Sequence, residues 1–106
     1  MRLLTIVRGF RRGILAGRKS RDMCFAVCAP LQAYLSCCIG IETELIEGDF
    51  ERCNHIWLQL PDGRIIDPTA DQFKTPEGKR MPKVYIGPLP EWYASREYWK
   101  RNGMAM

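Results

Sequence analysis

Three side chains in this 106-residue sequence have the chemistry of a nucleophilic triad: a thiol, the only imidazole of the chain and a carboxylate. They are Cys24, His55 and Asp67, in that order along the chain. A histidine oriented by a carboxylate can remove the proton of a nucleophile and return it to a leaving group. This chemistry requires that the elements carrying the three residues bring them together.

Residues 54–73, NHIWLQLPDGRIIDPTADQF, have the pattern of a β-hairpin, with two apolar runs on either side of the turn residues 61–63, Pro-Asp-Gly. A three-residue loop with glycine in the left-handed position pairs Trp57 with Asp67 and places His55 on the same face. A two-residue loop would turn the carboxylate to the opposite face. The sequence favours the longer loop, because proline suits the first turn position and glycine the bulge.

The thiol of Cys24 is predicted to lie at the start of a helix, just after basic residues at positions 18, 19 and 21. Backbone N–H groups and nearby positive charge both favour a thiolate. Ser20 or Asp22 is expected to cap this helix, and Gly40 to end it. Pro30 is expected to kink the helix or to split off its first turn.

The remaining pattern predicts a single α+β domain over residues 1–106, with N-terminal helices packed on a small antiparallel sheet. Residues 2–16 form a basic amphipathic helix, because Leu3, Val7, Phe10 and Ile14 repeat at helical spacing. Residues 22–73 form the core that holds the triad, and its first strand is predicted at residues 41–47. Residues 83–101 supply a closing strand (83–86) and a helix (91–101).

The net charge of +4 arises in the N-terminal segment. Residues 1–21 carry seven basic groups and no acid, which leaves 9 basic and 12 acidic groups, a net charge of −3, in the rest. The segment can cover the core, bind an anionic surface or act as a transit peptide. We favour the structural role, because removing the segment would strip the chain almost to Cys24.

The five cysteines are an odd number and no secretory signal precedes them, so we expect reduced thiols in a cytoplasmic protein. No apolar run approaches the roughly 20 residues of a membrane span.

The order CFAVCAPLQAYLSCCIGIETELIEGD and then NHIWLQLPDGRIIDPT resembles the core of transglutaminase-like proteins, which belong to the papain-like cysteine hydrolase superfamily. That pattern has a cysteine opening a helix, a glycine-led strand, a histidine and an aromatic residue on the next strand, and Asp-Pro-Thr after a hairpin. It matches at Cys24, Gly40, residues 55–57 and residues 67–69, and so spans about residues 22–73.

The resemblance implies a papain/transglutaminase-like fold in which Cys24 is the nucleophile, His55 the general base and acid, and Asp67 the orienting carboxylate. It implies acyl transfer through a thioester, as in peptide cleavage, glutamine deamidation or amide exchange onto an amine. The substrate would be a peptide or protein amide, with an amine acceptor in the exchange reaction. No cofactor is implied, and the source would be bacterial or phage-borne.

The upstream glutamine of papain-like enzymes has no counterpart here, since residues 18–21 read Arg-Lys-Ser-Arg. The backbone N–H of Cys24 can supply one oxyanion donor, with Ser20 or an arginine supplying the other. Trp57 is a supporting residue beside the histidine. An inactive binding or structural member of the same fold is the nearest alternative.

Two other classes compete with this interpretation. The first is a structural zinc site formed by Cys24, Cys28, Cys53 and His55, which have suitable ligand chemistry but lack the paired spacing of zinc knuckles. The second is a module that binds nucleic acid or a partner through the basic N-terminal segment. We disfavour a nucleic-acid partner, because a basic helix is more often a solvated face.

Overall fold

The computed structural model describes residues 2–50 and 53–93. The described part has two α-helices and a four-stranded antiparallel sheet, with its strands in chain order. The elements are α1 (Leu3–Leu15), α2 (Cys24–Tyr34), a π-helical turn (Leu35–Ile39), β1 (Glu44–Phe50), β2 (Cys53–Gln59), β3 (Ile65–Asp67), a 3-10 turn (Ala70–Gln72) and β4 (Tyr85–Gly87). The predicted α+β class is therefore confirmed.

Helix α1 covers the core, as the structural interpretation of the N-terminal segment predicted. Its residue Val7 is fully buried in one apolar cluster with Leu31 of α2 and Leu58 of β2. The exposed positions of α1 carry most of its arginines, whereas Arg11 is buried. The helix ends at Ala16, whose left-handed conformation allows its N–H to donate to the carbonyl of Arg12.

Helix α2 begins at Cys24, as predicted, but no side chain caps its first turn. The residue before it, Met23, makes no side-chain cap, and neither Ser20 nor Asp22 serves as the cap. The helix continues through Pro30 without a break. Its π-helical extension ends at Gly40, which has a φ of 82° and therefore the left-handed conformation predicted for the stop.

The first strand was predicted too early in the chain. Strand β1 covers Glu44–Phe50 rather than residues 41–47, because it pairs along its whole length with β2, from Glu44 opposite Gln59 to Phe50 opposite Cys53. Cross-strand hydrogen bonding thus carries the strand through Gly48, beyond the predicted end at residue 47.

The C-terminal prediction is tested only in part. Strand β4 is Tyr85–Gly87 rather than residues 83–86, and it pairs with β3. Of the helix predicted at residues 91–101, positions 91–93 are turn and bend, and the remainder lies outside the described residues. No helix in residues 2–50 and 53–93 has the length and apolarity needed to cross a lipid bilayer.

Candidate active site

The hairpin has the predicted register. Leu58 pairs with Ile66 and Gln59 with Ile65, so Trp57 lies opposite Asp67. The turn is closed by a 3.0 Å hydrogen bond from the N–H of Gly63 to the carbonyl of Leu60, and Gly63 has a φ of 92°. Because side chains alternate along a strand, this three-residue loop places the histidine and the aspartate on one face of the sheet.

His55 and Asp67 form a buried pair at that face. The Nε2 atom of His55 lies 2.7 Å from Oδ2 of Asp67, and both side chains are shielded from solvent. The other carboxylate oxygen, Oδ1, accepts a hydrogen bond of 3.1 Å from the N–H of Thr69. Since a carboxylate can only accept, Nε2 carries a proton, and the second ring nitrogen is the one available to a thiol.

Tyr93 supplies a third hydrogen bond to the carboxylate. Its Oη donates to Oδ2 of Asp67 over 2.6 Å, and its ring is completely buried. Burial and then the charge of Asp67 raise the pKa of Tyr93, so the phenol remains protonated and acts as a donor. Tyr93 therefore belongs to the site, although the sequence had indicated it only as apolar content of a closing helix.

Aromatic rings surround the imidazole on several sides. The ring of Phe73 contacts it edge-on with centroids 4.6 Å apart, and Trp57 and Tyr93 lie at 5.8 and 6.0 Å. Trp57 also packs edge-on against Tyr93 at 5.3 Å. These contacts fix the plane of the imidazole and exclude water from its bond to the carboxylate.

The Cys24 thiol is half-buried at the first residue of α2 and lies close enough to His55 for the imidazole to shift its pKa. Burial opposes ionisation of the thiol, whereas the interaction with His55 and the charge of the imidazolium favour it. Backbone hydrogen bonds from Ile56 and Phe25 act in the same direction. The pKa of Cys24 is consequently lowered from its ordinary value of 9.0.

The imidazole shows the complementary change. Burial disfavours its charged form, but hydrogen bonds with Asp67 and Cys24 outweigh burial and raise the pKa of His55 from 6.5 to about 9. A lowered thiol pKa and a raised imidazole pKa together favour a thiolate–imidazolium pair near neutral pH. Such a pair is an activated nucleophile beside a charged general acid.

Cys28, one turn further along α2, has the opposite environment. Its thiol is fully buried and donates to the carbonyl of Ile56, with Sγ and O 3.4 Å apart. Burial, followed by the charges of Asp67 and Cys24, raises the pKa of Cys28 well above 9.0. Of the two thiols on this helix, only Cys24 is therefore suited to nucleophilic attack.

A network of polar contacts, which we call the clamp, holds the segment that precedes Cys24. Asp71 of the 3-10 turn accepts a 2.7 Å hydrogen bond from the hydroxyl of Ser20 and forms a 2.9 Å ion pair with Arg11. The backbone N–H of Asp22 donates to Oε1 of Gln72 over 2.9 Å. The clamp therefore ties the segment before Cys24 to the turn that follows Asp67.

The clamp also determines the hydrogen bonding of the Ser20 hydroxyl. Its hydroxyl proton is used by Asp71, so the geometry favours the supporting role over oxyanion donation. Arg11, Asp71 and Gln72 were not singled out in the sequence. The only signal that could have indicated Arg11 is its helical position, four residues after Val7 and four before Leu15, on the buried stripe of α1.

Cys24 opens into a cavity of about 750 Å³, which is bordered by the segment before α2 and by the loop that follows β3. Its basic wall comprises Arg11, Arg18, Lys19, Arg21 and Arg80. The thiol can therefore be reached from solvent, whereas the His55–Asp67 pair behind it cannot.

The zinc alternative gains no support from this geometry. Cys28 is held as a protonated donor to a carbonyl, and His55 directs Nε2 at Asp67. Within residues 2–50 and 53–93, no three His, Cys, Asp or Glu side chains converge as metal ligands.

Comparison of the chain with models of protein families, with curated proteins and with solved structures gives no match.

Proposed function

We propose that this chain is a cysteine-dependent hydrolase or acyltransferase that acts on amide bonds within a papain- or transglutaminase-like fold. Cys24 is the nucleophile, His55 the general acid and base, and Asp67 the orienting carboxylate. The observation that carries the proposal is the series of neighbouring groups from a thiol of lowered pKa, through an imidazole of raised pKa, to a buried carboxylate whose Oδ2 lies 2.7 Å from that imidazole.

In the first half-reaction, the thiolate of Cys24 attacks the carbonyl carbon of the amide and a C–S bond forms. The carbonyl π electrons move to oxygen, which becomes an oxyanion. The His55 imidazolium then protonates the amide nitrogen as the C–N bond breaks. The products are a thioester on Cys24, a free amine and a neutral imidazole.

In the second half-reaction, water or an acceptor amine attacks the thioester carbonyl. His55 takes the proton of the attacking group, and the C–S bond breaks as the carbonyl reforms. A carboxylic acid or a new amide leaves, and the thiolate–imidazolium pair is restored. Asp67 keeps the imidazole in one orientation and stabilises its charged form in both steps.

The oxyanion requires hydrogen-bond donors beside Cys24. The backbone N–H of Cys24 belongs to the first turn of α2, where N–H groups have no acceptor within the helix. Because the Ser20 hydroxyl is donated to Asp71, an arginine is the better second donor. Arg21 lines the cavity, and its guanidinium makes no hydrogen bond within the described residues.

The proposal is tested by trapping the acyl-enzyme. A fluorogenic peptide amide and an activated ester are each incubated with the protein, the reaction is quenched in acid, and the acylated residue is mapped by mass spectrometry. We expect the adduct on Cys24, with its formation slowed by a factor of about 10² to 10⁴ in His55→Ala. Cys38→Ala, which removes an exposed thiol, is the matched control and should acylate at the wild-type rate.

Acyl groups distributed evenly over the exposed cysteines would contradict the proposal. Equal acylation would mean that Cys24 is no more reactive than thiols that lie outside the site. A Cys24 acylation rate that does not change in His55→Ala would contradict it as well.

A further inference from the structure

The cavity that contains Cys24 carries an excess of positive charge. Five basic side chains line it, against the two acids Asp22 and Asp71. Arg11 and Asp71 form an ion pair with each other, which leaves four cations and one anion, a net charge of +3. The wall residues Lys19, Arg21 and Arg80 are exposed, and none of them forms an ion pair within the described residues.

The positive surface continues beyond this cavity. A second cavity of about 270 Å³ shares Arg11 and Arg18 with the first and is also lined by Arg8, Arg12 and Lys83. No acidic side chain lines it. The two cavities together form what we call the cationic surface, which extends from the nucleophile across the C-terminal half of α1.

We propose that the cationic surface selects an acidic polypeptide, whose acyl group enters the Cys24 cavity while neighbouring carboxylates bind toward the second cavity. This inference rests on the proposed acyl-transfer function. Arginine guanidinium groups bind carboxylates through two parallel hydrogen bonds, and a cleft lined by one sign of charge raises the local concentration of oppositely charged ligands. A nucleic acid would satisfy the same cations but offers the thiol no peptide bond and no side-chain amide.

The first experiment measures binding by fluorescence anisotropy, with Cys24→Ala as the protein so that no turnover occurs. The probes are a labelled peptide of alternating glutamate and glycine, the same peptide with glutamine in place of glutamate, and a single-stranded DNA of equal charge. We expect the glutamate peptide to bind on the order of tenfold more tightly than the glutamine peptide, and its affinity to fall as salt is added.

Charge reversal at the cationic surface locates the binding. Arg80→Glu in the Cys24 cavity and Arg8→Glu in the second cavity should each weaken binding of the glutamate peptide severalfold. Arg64→Glu is the matched control, because Arg64 is an exposed arginine at the hairpin turn, paired with Asp62 and absent from both cavity walls. It should leave the affinity unchanged. Equal binding of the two peptides would overturn the inference, as would tighter binding of the DNA.

The second experiment measures the effect of the electrostatic potential at Cys24 on its reaction with a charged reagent. Alkylation by the anion iodoacetate is compared with alkylation by neutral iodoacetamide, and the ratio of the two rates cancels the intrinsic reactivity of each thiol. The ratio should be severalfold higher at Cys24 than at the exposed pair Cys37 and Cys38. It should fall in Arg80→Glu and in high salt, but not in Arg64→Glu. Equal ratios at all three cysteines would overturn the inference.

The two proposals fail in different ways. An acyl adduct on Cys24 without any preference for acidic peptides would overturn the substrate class and leave the triad chemistry intact. Selective binding of the glutamate peptide without an acyl adduct would overturn the acyl-transfer function, while still supporting an acidic polypeptide as the ligand of this surface.

Discussion

Tyr93 donates a 2.6 Å hydrogen bond to the same Asp67 oxygen, Oδ2, that lies 2.7 Å from Nε2 of His55. The phenol is buried, so water cannot replace either partner of this bond. The negative charge of one carboxylate oxygen is thus shared between an imidazole and a phenol. Because the charge that Tyr93 draws from this oxygen is lost to the imidazolium, we predict that Tyr93 limits the basicity of His55.

Replacement of Tyr93 by phenylalanine should raise the pKa of His55 above its value of about 9. The carboxylate charge would then act on the imidazolium alone, which favours the charged form. We expect the alkaline limb of the pH–rate profile for acylation to move to higher pH. Loss of a hydrogen bond to a charged group should also lower the free energy of unfolding by about 1.5–3 kcal/mol, measured by urea denaturation.

Tyr85→Phe is the matched control for this variant. The hydroxyl of Tyr85 donates to the carbonyl of Pro88 over 2.6 Å and is absent from the hydrogen bonds of Asp67. Its removal should leave the alkaline limb in place. If Tyr93→Phe lost stability without moving that limb, Tyr93 would be a packing residue with no influence on the imidazole.

The pH dependence of Cys24 reactivity follows from the two opposite pKa shifts. The thiolate forms above the lowered pKa of Cys24, so the alkylation rate by iodoacetamide should rise with an inflection below pH 9.0. The imidazolium persists to about pH 9, so acylation from an amide should decline above that pH as the general acid loses its proton. Separate measurements of alkylation and amide turnover across pH distinguish the two limbs.

His55→Ala should shift the alkylation inflection of Cys24 upward, because it removes both the hydrogen bond and the charge that stabilise the thiolate. Asp67→Asn should shift it in the same direction by less, since the carboxylate acts through the imidazole. Cys28 should remain the slower of the two thiols on α2, because burial raises its pKa. Equal alkylation rates for Cys24 and Cys28 would contradict the assignment.

The His55–Asp67 relationship could be predicted because it depends on local chemistry. Turn residues 61–63 fix the loop length, and the loop length fixes which side chains of two adjoining strands share a face. All of this information lies within residues 54–73. The position of Cys24 was predictable for a similar reason, since the segment before α2 contains the breaker Gly17 and a run of basic residues.

Because the turn sets the register of the hairpin, substitutions at Gly63 should affect both stability and the site. It has a φ of 92°, a conformation that a β-branched residue adopts only with strain. Gly63→Val should destabilise the protein by about 1–3 kcal/mol in urea denaturation and should slow Cys24 alkylation by disturbing the register of His55 and Asp67.

Gly13→Ala is the control for Gly63→Val, because it should raise the stability of the protein instead of lowering it. Gly13 is an exposed residue in the interior of α1, and apart from the neighbouring backbone of the helix itself no atom lies within 4 Å of where a Cβ would be added. Alanine there should stabilise the protein by about 0.5–1 kcal/mol and leave Cys24 reactivity unchanged. A Gly63→Val variant as stable as the wild type would contradict the left-handed turn.

The sequence could not indicate the clamp or the role of Tyr93. Arg11 and Asp71 are 60 residues apart, and their contact exists only once α1 has packed beside the 3-10 turn. The place of Arg11 on the buried stripe of α1 distinguishes it from Arg8 and Arg12, which remain exposed, but that place does not indicate which carboxylate it meets. Tyr93 is likewise 26 residues from Asp67, and a tyrosine in an apolar stretch carries no sign that its hydroxyl meets a carboxylate.

Variants of the clamp can show whether it positions Cys24 as well as stabilising the fold. Asp71→Ala leaves the buried guanidinium of Arg11 without its ion pair and should cost about 3 kcal/mol of unfolding free energy. It should also slow Cys24 alkylation, since Ser20 loses its acceptor and the segment before α2 is released. The double variant Arg11→Met/Asp71→Ala removes both charges and should recover most of the stability, but not the alkylation rate. Arg64→Ala, which breaks an exposed pair and keeps the hydrogen bond from the N–H of residue 64 to Asp62, should change neither. Full recovery of both quantities in the double variant would show that the clamp contributes stability alone and does not position the nucleophile.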